Sequence, residues 1–401
     1  MPLREHPERA EISLTGEHCM QPAIYLAFVD DWEVRGNGTG DPRVLQFEPM
    51  RRLVKIFNNY GIRGSFNVEV MQQLAYQDLQ ERFPELKAIA DEWEQVVEES
   101  FRQGHDIQLH LHPQWCGANY QGYGNWKLDG DWSILNYPSQ QIRAMLLSGK
   151  QYLESLLRKI DPAYACVSFR AGSWCAAPSD SLLQILSDLG FVFDMSIVAG
   201  IRYDTPQVKL DYTQCEESFA PYYPDMRDAR RVSHSMEPIA CIPTNSFSGA
   251  RVALFTRDLG KALMALRRKI DGPINRRTGA PPGLSRGRSG DEWTNKGESG
   301  AIAFSKRLLR RFIVGQRHIS DLAQLNYAMM RRMMVNIRRQ ATRSGLPCVP
   351  VILENHTKDI TDFTDIEKFV ADVAHSPDVK TVTLTEIAHG LRNGTFKART
   401  A

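Results

Sequence analysis

Short apolar runs rich in branched side chains alternate with longer stretches of helical periodicity through most of the chain. Residues 23–31 (AIYLAFVDD) predict a strand, and 50–60 predict a helix with Leu53, Val54, Ile56 and Phe57 on one side. Strands are expected at 62–68, 105–112, 164–172 and 191–198, and helices at 85–104, 139–160 and 178–190. Ser139 suits the N-cap of the second of these helices, and Gly104 and Gly190 suit the ends of the other two. The last set is a strand at 348–356, a helix at 363–376 and a closing strand at 379–387. Repeated strand–helix units predict a parallel sheet with helices outside it, and runs as apolar as AIYLAFV and VPVIL fit strands buried on both faces. Seven or eight such units close into a (β/α) barrel; an open doubly wound sheet is the alternative that periodicity leaves.

Residues 199–347 break this rhythm. Within them, 271–300 are rich in Gly, Pro, Arg and Ser and read as a loop, whereas 305–341 read as strongly basic helix. The expected division is therefore an N-terminal extension (1–21), a first part of a catalytic barrel (22–198), a basic insertion or cap (199–347), and a last part with the C-terminal tail (348–401). Charge sharpens the division. The net charge of +2 conceals 21 Lys+Arg against 6 Asp+Glu over 251–350, a balance of +15 that leaves −13 for the rest. The segment has few aromatics and no recognisable nucleic-acid motif, so a nucleic-acid partner is not expected. An anionic lipid or a phosphate group contacting 304–339 is the partner its charge suggests, and a solvated surface is the plain alternative. The polar N-terminus lacks the apolar core of a signal peptide, and no run approaches membrane-spanning length. The expected location is cytoplasmic, peripheral at most to the inner membrane face. Seven scattered cysteines without a CxxC pair argue against a disulfide framework or a thiolate metal site. Oligomeric state leaves no signature.

Polar residues collect where the strands end: Asp30-Asp31, His110-Leu111-His112, Arg170, Asp194 and Glu354-Asn355-His356. In a parallel barrel these ends meet at one mouth. Side chains at i and i+2 of a strand point the same way, roughly 6.6 Å apart, so His110 and His112 can converge on one ion at roughly 2.0–2.1 Å. An aspartate from the pair completes a site of two histidines and one carboxylate, suited to zinc or another divalent ion; in the plainer reading only one histidine is a ligand. Adjacent aspartates cannot face one ion alike, so one is expected to ligate and the other to accept a proton. Arg170 is expected to keep a base aspartate ionised, with a structural ion pair as the alternative. His356 is placed to protonate a leaving amine, or else to bind substrate or cap a helix.

The ordered set FVDDW, GHDIQLHLHP, FRAGSW, GFVFDMS and ILENHTKD resembles the polysaccharide deacetylase superfamily (carbohydrate esterase family 4) as a divergent member, over about 22–198 and 348–388. The resemblance implies a distorted (β/α)7 barrel and removal of an N-acetyl or similar N-acyl group from an amino sugar or glycan precursor. It implies one divalent metal ion, zinc first, with cobalt, nickel and manganese as alternatives. By position it makes Asp30 the base, Asp31 a metal ligand, His110 the first histidine ligand, Arg170 the partner of the base and His356 the acid. The family's second histidine falls on Gln114, so His112 or Gln114 must complete the shell. Trp32 replaces a glycine after the aspartate pair and is expected to narrow the mouth; Trp32, Trp115, Trp174 and Glu354 are the candidate substrate contacts. Two rivals remain: a hydrolase of the same fold acting on a non-sugar C–N bond, and a glycan-binding protein without activity.

Overall fold

The computed structural model describes residues 22–249 and 316–401. The extension 1–21, the loop expected at 271–300 and the basic stretch 304–313 lie outside the described residues. Seven parallel strands form the spine: β1 (Ala23–Trp32), β2 (Ser65–Glu69), β3 (Asp106–Leu111), β4 (Ser168–Ala171), β5 (Phe193–Asp194), β6 (Ala240–Cys241) and β7 (Cys348–Asn355). Their order is β6-β5-β4-β3-β2-β1-β7, and every neighbouring pair is parallel. The two ends of this sheet meet where the Asn245 N–H donates to the Ile352 carbonyl (2.9 Å) and Thr244 bridges Ile352. That seam closes a distorted (β/α)7 barrel and sets aside the open sheet. A short eighth strand, β8 (Val379–Thr381), pairs with Ile24–Leu26 of β1, below the level at which β2 begins.

Strand alternation divides β1 into two faces. Phe28 packs on Phe57 and Phe369, in the outer helices α1 (Glu48–Asn59) and α7 (Thr364–Ala374), and Trp32 packs on Phe47 and Trp93. Ala27 and Val29 instead join Phe193, Met195, Ile242 and Ile352 in a separate cluster that fills the lumen. Helix α8 (Leu384–Arg392) shuts the amino-terminal end of the barrel. Its Leu384 and Ile387 enter the lumen cluster, and the Leu384 and Thr385 N–H groups donate to Ser65 Oγ (3.1 Å) and Asp106 Oδ2 (2.9 Å), at the starts of β2 and β3. The carboxyl ends of the strands are left for chemistry.

The remaining helices among the described residues are α2 (Val70–Leu79), α3 (Pro84–Arg102), α4 (Ser139–Leu157), α5 (Leu182–Asp188) and α6 (Tyr327–Ser344). Several elements depart from the sequence pattern for local reasons. The strand expected to run to 387 stops at Thr381, because Thr383 and Glu386 form a reciprocal capping box that starts α8. Of the region 199–347 expected to be a basic insertion or cap, the described part supplies β6 to the barrel sheet and α6, which packs against α7. Two residues of β6 are too few for alternation to register. In place of one basic helix over 305–341, the described part holds the strand Gln316–Ile319, paired with Ser246–Gly249, and then α6. Gly345 ends α6 at φ 68°, a left-handed conformation that glycine adopts without a Cβ penalty. Among the described residues no helix is long and apolar enough to cross a membrane. Cys116, Cys166, Cys175, Cys215, Cys241 and Cys348 are free thiols.

Candidate active site

The two aspartates that end β1 face opposite ways. Asp30 shares the outer face with Phe28 and Trp32, beside a small cavity lined by Leu53, Phe57, Leu322 and Ile366. Its Oδ2 accepts from Asn355 Nδ2, its Oδ1 has no hydrogen-bond partner, and burial pushes its carboxyl well above the usual range. Asp31 faces the lumen. It accepts two bonds from Arg170 Nη1 (3.0 and 3.1 Å) and one from Asn67 Nδ2 (3.0 Å). Burial raises its carboxyl, but Arg170, with His110 and His356, outweighs burial and holds it below the usual range. Arg170 is fully buried and is pinned on its other side by Thr244 Oγ1 (2.8 Å). The expectation that Arg170 steadies Asp30 is therefore corrected: one residue of register turns Asp30 toward the helices, and the arginine's partner is Asp31.

His110 and His112 do project together, with ring centres 4.7 Å apart. The carboxylate gathered with them is Glu33, not Asp31. Glu33 continues the lumen-facing alternation two residues on; its Oε2 is 3.5 Å from His110 Nε2 and in contact with His112 Nε2. Ligand atoms of Glu33, His110 and His112 lie within 4.8 Å of one another, all on buried residues, and so could hold a metal ion. The backs of the rings are also held: His110 Nδ1 lies 3.0 Å from the Arg170 carbonyl, and His112 Nδ1 lies 2.9 Å from the Gln114 amide. Gln114 thus braces His112. Burial lowers the His110 imidazole, but Asp31 and Glu33 more than reverse this, to about 9; burial lowers His112. Burial would raise Glu33, yet His112 and Lys358 bring it well below the usual carboxylate range. Glu69 stands beside them and caps α2 through Oε1, and burial pushes it up to about 8.

A second cluster comprises Asp31, Glu354 and His356. His356 Nε2 lies 3.5 Å from Glu354, 3.8 Å from Asp31 and 3.8 Å from Glu33, and its Nδ1 lies 3.1 Å from Asp321 Oδ2. Burial opposes its protonation, but Asp321 overcomes burial and pushes it up to about 10. Glu354 accepts from Trp174 Nε1 (3.0 Å), lies 3.8 Å from Arg170, and is pushed up to about 7 by burial. Trp174 stacks on Tyr203 at 5.9 Å and meets His356 edge-on, on a turn where Ser173 and Trp174 both have left-handed φ (54° and 55°). The other two tryptophans expected to contact substrate are packing residues. Trp32 is fully buried, with its Nε1 donating to the Gln46 carbonyl (2.9 Å), and Trp115 is buried against Tyr76 and Trp126. Their expected contact with substrate is withdrawn, because both lie among apolar neighbours behind the strand ends.

Sequence reasoning missed Glu33, Asn67, Thr244, Asp321 and Lys358. Glu33 carried a signal in the two-residue step from Asp31 that matches the step between the histidines, and Asn67 in its place at the end of the strand expected at 62–68.

No family model matches the chain, and no curated protein matches it. Among solved structures it is similar to a protein assigned as a polysaccharide deacetylase from Mycobacterium smegmatis, at 14% identity over 95% of this chain and 94% of that one (TM-score 0.46). It is similar to another so assigned from Pseudomonas aeruginosa PAO1, at 12% identity over 94% of each chain (TM-score 0.44). A third is Puue allantoinase, at 11% identity over 97% of this chain and 98% of that one (TM-score 0.44). The chain's fold assignment stands on the strand order and closure described above.

Proposed function

We infer that the protein is a metal-dependent hydrolase that removes an N-acyl group from an amino sugar or a glycan precursor. The observation that carries this reading is the grouping at one barrel mouth of Glu33, His110 and His112 with an arginine-paired Asp31 and an aspartate-paired His356.

The donor set suits a divalent ion of the zinc type. The carbonyl of Arg170 takes the Nδ1 proton of His110 and leaves Nε2 free to donate to an ion. Gln114 Nε2 lies 2.9 Å from His112 Nδ1 and donates to the Gly36 carbonyl (3.2 Å), which holds the His112 ring from behind. The second cluster is the poorer holder, since Arg170 already places a fixed cation against Asp31 and Glu354. An ion held by Glu33, His110 and His112 would supply Lewis-acid polarisation of an amide carbonyl and of a water.

The protein's own groups divide the proton work. Asp31, kept ionised by Arg170, accepts the proton of the attacking water. His356, protonated at neutral pH through Asp321, delivers a proton to the leaving amine. Trp174, with Tyr203 behind it, offers the apolar side of a sugar-binding surface. Asp30 takes no part.

The test is carboxylate release from a panel of N-acylated amino sugars after chelation, with and without restored zinc, cobalt, nickel or manganese. Ion-dependent release that vanishes in Asp31→Asn is expected. Turnover of only a small non-sugar amide would move the reading to its rival, and binding without turnover at any ion would leave a glycan-binding protein.

A further inference from the structure

Lys358 has no part in the chemistry just described, yet it touches the site. It lies three residues beyond β7, in the single 3-10 turn Thr357–Asp359, and its ammonium rests on Oε1 of Glu33. Both side chains are largely out of water, Glu33 at 5% and Lys358 at 17% exposure. The other oxygen of Glu33, Oε2, is the one that meets His110 and His112. One carboxylate therefore has an ammonium on one side, with His356 Nε2 3.8 Å from the same oxygen, and two imidazoles on the other. The contrast with Arg170 is informative. That guanidinium is fixed by Asp31 and Thr244 and has no exposure, whereas Lys358 is a point charge on a flexible four-carbon stem that keeps 17% exposure.

We propose that Lys358 is the protein's own counter-cation for Glu33, and that it competes with the divalent ion for that carboxylate. This rests on the reading of Glu33, His110 and His112 as the ion's holders. A buried carboxylate is strongly disfavoured unless it is paired, and of the cations at Glu33 Lys358 is the one that is not itself a holder of the ion, so it adds to the pairing from His110 and His112 for as long as no ion is bound. A dication beside the same carboxylate repels the ammonium in a place where screening is weak. Uptake of the ion draws Glu33 toward the histidines, and Lys358 withdraws along its exposed edge. The arrangement keeps the site in shape before the ion arrives and makes the ion easier to lose than its ligands alone would. A lysine that merely oriented Glu33 would act with the opposite sign, because its removal would weaken ion binding.

Chelator-competition titrations with zinc and manganese, on the full chain and its Lys358→Met, Lys358→Gln and Lys358→Arg variants, separate the two. Removing the charge should tighten binding on the order of tenfold or more, while Lys358→Arg should stay within about threefold of the parent. The melting temperature of the ion-free Met and Gln variants should fall, and its rise on adding ion should grow. A second measurement needs no variant: acetylation of Lys358 by an anhydride, read by mass spectrometry, should be faster with ion bound. Unchanged or weaker ion binding in Lys358→Met and Lys358→Gln overturns the proposal, and so does labelling that the ion leaves unchanged or slows. If neither variant folds, the labelling decides. If the parent protein takes up no ion at these residues, with His110→Ala as the control, the reading of the ion site fails instead.

Discussion

Between Asp30 and Asp31 one residue of register decides which carboxylate can act. Asp30 lies among apolar side chains on the helix side, and its carboxyl is raised, so the fold favours its protonated form. Its contribution to stability therefore falls as pH rises from the ordinary carboxylate range toward the raised value, and an amide removes that dependence. Asp30→Asn should keep turnover within about threefold of the parent and should melt no lower at pH 7–8. Asp31→Asn should lose about 10²–10⁴ in kcat with ion binding retained. Paired kinetics and ion titrations check both, and equal losses in the two variants would restore Asp30 as the base. Arg170 supplies a third contrast. Its contact holds Asp31 below the usual range, so Arg170→Met should move the acid limb of the pH–rate profile upward, and Arg170→Lys should move it less. Breaking this buried pair should also cost about 3–5 kcal/mol of stability, measurable by denaturant unfolding.

Among the elements, the turn after β4 is the tightest constraint on the site. A Cβ on Gly172 would fall 2.8 Å from His112 Nδ1 and 2.8 Å from the Leu111 carbonyl, so this turn lies on the histidine only because it has no side chain there. Gly172→Ala should weaken ion affinity about 10–100-fold by displacing His112 while costing only about 1–3 kcal/mol of stability. A large stability loss with unchanged ion affinity would place the strain elsewhere. The same turn marks where the sequence stops being legible. The strand runs β1, β3, β4 and β7 announce their place and the polar residues at their carboxyl ends, which is why Asp31, His110, His112, Arg170, Glu354 and His356 could be picked out. Glu33 was legible in principle, but it lies just past the strand, and the paired aspartates drew attention to the wrong step. Asp321 and Thr244 were not legible. They come from short irregular segments whose proximity to β7 and β4 is set by tertiary packing and leaves no period. Trp32 and Trp115 misled for a related reason: an aromatic beside a strand end reads as a substrate contact until packing turns it inward.

Across the whole molecule, charge is divided as well as structure. The acidic barrel mouth concentrates Asp31, Glu33, Glu69 and Glu354 around histidines, while α6 carries Arg331, Arg332, Arg338, Arg339 and Arg343 with no acidic residue. Between α6 and α7 runs a groove of about 560 Å³, lined by Arg331, Arg332, Arg338 and one acidic residue, Asp372, together with Val335, Phe369 and Val373. Arg338 is held by Asp378 (2.6 Å), and Arg331 stands 5.9 Å over the Tyr327 ring. An apolar floor with a basic rim suits an anionic lipid headgroup better than a neutral surface, and each basic residue near such a surface contributes on the order of 1 kcal/mol, screened by salt. Arg331 and Arg332 together should therefore change vesicle affinity by roughly tenfold or more when both are reversed to glutamate. Co-sedimentation with neutral and anionic vesicles at low and high salt reads this directly, and KM for phosphorylated against unphosphorylated amino sugars separates a lipid from a substrate phosphate. The expected result is binding to anionic vesicles alone, lost at high salt and in Arg331→Glu/Arg332→Glu, with carboxylate release from a soluble substrate unchanged. Binding that ignores both lipid charge and these two reversals would leave α6 as a solvated outer helix of the barrel.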